Sequence, residues 1–273
     1  MKKIKNLLFR SLTIVVILFI CTASTEEEEY SSKFKTIRDE FLFLAEEIKP
    51  LKSSEVYKLV AVSLKDFEEL ETRVNSAADK STVLSDASTS LKLMSDNYKA
   101  ISEQGSAIIQ SRNASLSKLE GVRTKTAALK TEIEKSISQK YVQINDLRRK
   151  LISEKDANER TKIEVAIKGL EAEINTVRNF QELAQKLLVY FDSYITAYKK
   201  YTAEMDKLFF TLGVAGKTYA LSADFMKSLE LIDKAFGEIG KVGSFDGVIS
   251  ELTGTFNGLN NIENNLKNIN IGG

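Results

Sequence analysis

Two apolar runs in the middle of the chain mirror each other about a short polar segment. The first comprises Leu119, Val122, Thr126, Leu129, Ile133, Ile137, Tyr141, Ile144, Leu147 and Leu151. The second comprises Ile163, Ile167, Leu170, Ile174, Val177, Gln181, Ala184, Leu188, Phe191 and Ile195. Both advance in steps of three and four, which places the side chains on one stripe of an α-helix and departs from the alternation of a strand. Between them lies Ser153 to Arg160, polar and rich in turn-forming residues. Folding the chain near residue 157 sets Leu151 against Ile163, Ile144 against Leu170, Ile137 against Val177 and Leu119 against Ile195. That register predicts a long antiparallel coiled-coil hairpin, with arms over about 116–152 and 160–212. One continuous helix through 153–160 is the competing arrangement.

The flanking sequence keeps the same helical spacing. Phe34, Ile37, Phe41 and Leu44 lead up to Pro50, the single proline of the chain. Val56, Val60, Leu64, Phe67, Leu70 and Val74 form a second run, and Leu84, Ala87, Leu91, Met94, Tyr98 and Ile101 a third that meets Gly105. Ser53 to Glu55 and Asp79 to Ser81 read as caps between them. After Leu212 the second arm reaches Gly213 and Gly216, which predict a joint between helices. A further seam (Leu221, Phe225, Leu229, Ile232, Phe236) gives way to glycines at 237, 240, 243 and 247. The last helix, Phe245 to Leu266, carries an asparagine-rich face and internal glycines at 254 and 258, so it should depend on docking or be mobile. The expected fold is all-α: an elongated helical bundle, 24–240, built around the coiled-coil hairpin, with a Gly/Asn-rich C-terminal segment, 241–273.

The first 23 residues read as an address. Lys2, Lys3, Lys5 and Arg10 precede an apolar block from Leu12 to Ala23, and small residues and then Glu26 to Glu29 follow. That order is the order of a secretory signal of bacterial type. Retention as an N-terminal membrane anchor, and lipidation at Cys21, are the alternatives to cleavage. The expected location is therefore outside the cytoplasm: periplasmic, at the cell surface, or secreted.

Composition excludes most chemistry. The chain has no histidine and no tryptophan, and its only cysteine is Cys21. A Ser-His-Asp or Cys-His nucleophile and the usual zinc or di-iron sites are therefore unavailable. With 39 basic against 38 acidic residues there is no electrostatic footprint for nucleic acid. Thr211 to Thr218 ends like a phosphate-binding loop, but it has Thr211 where the motif needs glycine, and the α/β context is missing. Paired carboxylates such as Glu46 with Glu47 fit the solvated face of a helix. No catalytic residue, cofactor, metal site or small-molecule substrate is expected.

The candidate site is instead an aromatic strip. Tyr190, Tyr194, Tyr198 and Tyr201 fall along one helix, three or four residues apart. They serve either as packing against further helices or as an exposed recognition strip, since tyrosine is favoured at interface hot spots. The expected function is that of an exported, non-enzymatic interaction or structural protein of the bacterial cell envelope or surface. Such a chain binds a protein partner, or itself, through helix faces. The alternative is a helical pore-forming or membrane-acting secreted protein, with Leu208 to Leu221 as its apolar head.

Overall fold

The computed structural model describes residues 26–47, 69–227, 231–240 and 246–271. All regular structure among them is helical: α1 (26–47), α2 (69–76), α3 (Lys80–Ser153), α4 (Ala157–Phe225), α5 (Ile232–Gly240) and α6 (Asp246–Lys267). The chain is an all-α bundle in which α3 and α4 form the predicted antiparallel hairpin. The leader with Cys21, the run from Val56 to Phe67, the caps at Ser53 to Glu55, and Gly243 of the glycine joint lie outside the described residues. The described residues divide into two compact units, each gathered from separated stretches of chain. The first holds 26–43, 119–193 and 264–271; the second holds 44–47, 69–118, 194–227, 231–240 and 246–263.

In the first unit the hairpin turns within three residues, Glu154 to Asp156, so the continuous helix is ruled out. The turn satisfies the backbone groups that helix ends leave open. Asp156 caps α4, its Oδ1 accepting from the N–H groups of Asn158 and Glu159 at 2.7 and 3.1 Å. Glu154 Oε1 accepts from the N–H groups of Lys155 and Asp156. Arg160 closes the end of α3 by donating to the carbonyls of Leu151 and Glu154. Behind the turn Ile144, Ile167, Leu170 and Ile174 form a buried cluster, with Ile137, Leu147, Leu151 and Ile163 packed against it. This is the predicted pairing.

The seam departs from the predicted one at two places. Tyr141 is exposed rather than in the seam, and its hydroxyl meets Arg178, whose guanidinium lies over the ring. The inward place belongs to Lys140, whose ammonium reaches Glu173 at 2.6 Å and Glu26 at 3.0 Å. A lysine can occupy a seam when its aliphatic stem is buried and its charge is met. On α4, Gln181 is half-buried and Phe180 takes the core position. There α1 supplies the third layer. Phe34 stacks on Phe180 with centroids 6.1 Å apart, and Phe41 stacks on Phe191 at 4.0 Å. The C-terminal tail completes the unit: Ile271 is buried, and its carbonyl accepts from the Ser31 hydroxyl.

In the second unit α3 and α4 pack against each other through glycines. Both helices run unbroken through these positions, 74 residues in α3 and 69 in α4. The arms are thus longer than predicted, and Gly213 and Gly216 do not form a joint. A Cβ at Gly105 would fall 2.3 Å from the Phe209 ring, and one at Gly213 would fall 2.9 Å from Ser102 Oγ. At Gly216 it would come within 3.2 Å of the Ser95 carbonyl oxygen. These glycines make room for a close helix crossing, at the expense of some intrinsic helicity. Nearby, Ser88 donates to the Ala223 carbonyl at 2.7 Å. From α4, Ser222 donates to the Ala235 carbonyl and so holds α5. The weak helix α6 is docked: Leu252, Leu259 and Glu263 are buried, and Phe256 meets Tyr201 at 6.3 Å.

Candidate functional site

Helix α4 carries the predicted tyrosines, and the structure separates them. Tyr194, Tyr198 and Tyr201 are in the core, at 1, 0 and 3% exposure, while Tyr190 is half-buried. An exposed recognition strip is therefore not what they form; three of the four do the packing work of an inward face. The Tyr194 hydroxyl approaches Glu263 Oε1 at 3.3 Å and the Ala45 carbonyl at 3.5 Å. Burial raises its pKa far above that of an ordinary phenol, and the charge of Glu263 adds to the effect. Tyr219, stacked on Tyr98 at 5.3 Å, is raised chiefly by burial as well.

Among these phenols sits a buried charge. Arg112 of α3 is 8% exposed and lies beside Tyr198 and Tyr201. Burial lowers its pKa, a shift that the neighbouring tyrosines oppose. A signal was present: Gly105, Arg112 and Leu119 follow one another at heptad spacing, which puts Arg112 in the inward register.

The opposite character appears on the outer face of α4. Phe210, Val214 and Leu221 are 72, 45 and 48% exposed and, with Lys217, follow a four-three-four spacing along one stripe. Beside the stripe a groove of about 570 Å³ runs between α3 and α4. Gly213 and Gly216 form part of its wall, and Asp96, Lys99, Glu103 and Lys217 bring charges of both signs to it. Among the described residues none of these four makes an ion pair. The groove thus joins an apolar edge to charges of both signs.

Other chemistry finds no support among the described residues. No group of three or more metal-ligating side chains occurs, and no helix is long and apolar enough to cross a membrane. Thr211 to Thr218 lies inside α4, where the backbone N–H groups are committed to the helix and cannot cradle a phosphate. Comparison with protein-family models, curated proteins and solved structures yields no match.

Proposed function

We propose that this chain is an exported, non-enzymatic interaction protein of the bacterial cell envelope or surface. In this reading it binds an amphipathic helix of a protein partner along the outer face of α4. The stripe of Phe210, Val214 and Leu221 supports it. Three large apolar side chains at heptad spacing offer knobs to a facing helix. Lys217 falls within the stripe and favours an acidic side chain on that helix, while Asp96 and Glu103 favour basic residues across the groove. Export rests on the basic, apolar and small-residue order of 1–25.

The test is a photo-crosslinking residue placed at Val214 in producing cells, with the cells then fractionated. The expected result is one discrete protein adduct outside the cytoplasm that Phe210→Ser abolishes. A lipid adduct together with leakage of liposomes by the purified protein would favour the membrane-acting alternative. A protein found wholly in the cytosol would overturn the export reading.

A further inference from the structure

Arg112 presents an unbalanced account of charge. It is a permanent cation, more than nine-tenths buried, and no carboxylate among the described residues pairs with it. Its Nη1 and the wholly buried Tyr198 hydroxyl lack hydrogen-bond partners, although the guanidinium lies beside that phenol. An uncompensated buried charge costs several kcal/mol, and an orphaned buried donor adds to that. Lys140, a half-buried cation, shows how this protein otherwise solves the problem, with carboxylates at 2.6 and 3.0 Å. The groups that act on Arg112 among the described residues are Tyr198, Tyr201 and Tyr194, each held in the protonated form by burial.

We propose that the second unit contains an internal site for a small monovalent anion of the halide class, bound by Arg112 Nη1 and the Tyr198 hydroxyl. The chemistry of the two groups matches that ligand. Both are buried donors without a hydrogen-bond partner among the described residues, and a single negative charge neutralises a single guanidinium. Size points the same way. The groove between α3 and α4 is not lined by Arg112, and the tyrosines around it are packed to 3% exposure or less. Packing this tight favours a monatomic ion over an organic carboxylate or a phosphate. Water could accept the same hydrogen bonds, but it would leave the charge unbalanced.

The experiment is thermal unfolding of the purified full-length protein at fixed ionic strength, with gluconate, too bulky for the site, exchanged stepwise for bromide. The melting temperature of the wild-type protein should rise with bromide and saturate. Arg112→Met, which keeps the apolar stem and removes the charge, should fold, should match or exceed the wild type in gluconate, and should show no bromide dependence. Tyr198→Phe should shift the half-saturating bromide concentration upward by about tenfold, the worth of one hydrogen bond to a charged group. Equal melting temperatures in the two salts would overturn the proposal and assign the site to water. A bromide dependence that persists in Arg112→Met would overturn it too, by showing that the ion acts elsewhere. Should Arg112→Met not fold, anomalous scattering from bromide-soaked wild-type crystals decides: a peak beside Arg112 supports the site, and its absence overturns it.

Discussion

Arg112 and Lys140 are both basic side chains turned into helical cores, and they differ in what meets the charge. Burial works against the ammonium of Lys140, but the hydrogen bonds and charges of Glu173 and Glu26 outweigh it and raise its pKa. The buried phenols are shifted in the same direction by a different cause, since burial favours the neutral form of an acid. The consequence for stability follows from linkage. Below pH 10 the Tyr194 hydroxyl is protonated in both states. As the pH rises past the ordinary phenol value of 10.0, the unfolded chain releases its proton first and the folded chain retains it. Stability is therefore complete below pH 10 and is lost progressively above it. Tyr219 and Lys140, also raised, contribute with the same sign. Urea midpoints measured between pH 9 and pH 12 should fall steadily above about pH 10. Tyr194→Phe should start about 1 kcal/mol less stable, having lost the bond to Glu263, and should fall less steeply. Parallel slopes would mean that Tyr194 ionises as readily in the folded protein as in the unfolded chain.

Helices α3 and α4 both run through internal glycines. Gly105 and Gly121 both lie inside α3, yet their surroundings are opposite. A methyl group at Gly105 would collide with the Phe209 ring at 2.3 Å, whereas nothing lies within 4 Å of a Cβ at Gly121. Gly105→Ala should therefore destabilise the protein by about 1–3 kcal/mol through overpacking. Gly121→Ala should stabilise it by about 0.5–1 kcal/mol, because alanine restricts the unfolded chain and favours the helix. Denaturant unfolding of the two variants beside the wild type checks the pair, and equal effects would show that the crossing is loose at Gly105. The same contrast explains where the sequence was legible. Periodicity is a property of the residues themselves, so the two mirrored seams and a turn near residue 157 could be read directly. Whether a glycine breaks a helix or lets another approach depends on the facing surface, so spacing alone predicts a joint at Gly213 and Gly216 where the structure has a close crossing. Lys140 takes the inward place that spacing alone gives to Tyr141, and only the positions of Glu173 and Glu26 reverse the order. Arg112 was legible in register but not in consequence, since nothing local reveals whether a counter-charge will be near.

At the scale of the molecule the distinctive property is that neither unit is a continuous piece of chain. The first unit takes its hairpin from 119–193, one layer from 26–43 and its tail from 264–271. Cutting the hairpin out of the protein therefore exposes surfaces that the rest of the sequence covers. Phe180 would lose Tyr30 and Phe34, and Phe191 would lose Phe41. Fully burying a phenylalanine is worth roughly 1.5–3 kcal/mol, so the contacts of α1 represent a large part of what keeps such a unit folded. A fragment spanning 119–193 should accordingly be only partly helical by itself, because helices draw most of their stability from packing. A separate peptide of residues 26–43 should restore the missing layer: mixing the two should raise the helical circular dichroism signal above the sum of the parts, with saturation. Phe41→Ala in the peptide removes the ring stacked at 4.0 Å on Phe191 and should weaken the association by about a hundredfold or more. If the fragment is already fully helical, or if the Phe41→Ala peptide binds as well as the original, the aromatic layer is not what holds α1 to the hairpin, and the ion pairs of Lys125 with Glu40 and Lys33 with Glu132 must carry the contact instead. Exposed pairs of that kind are worth too little for this to be the expected result.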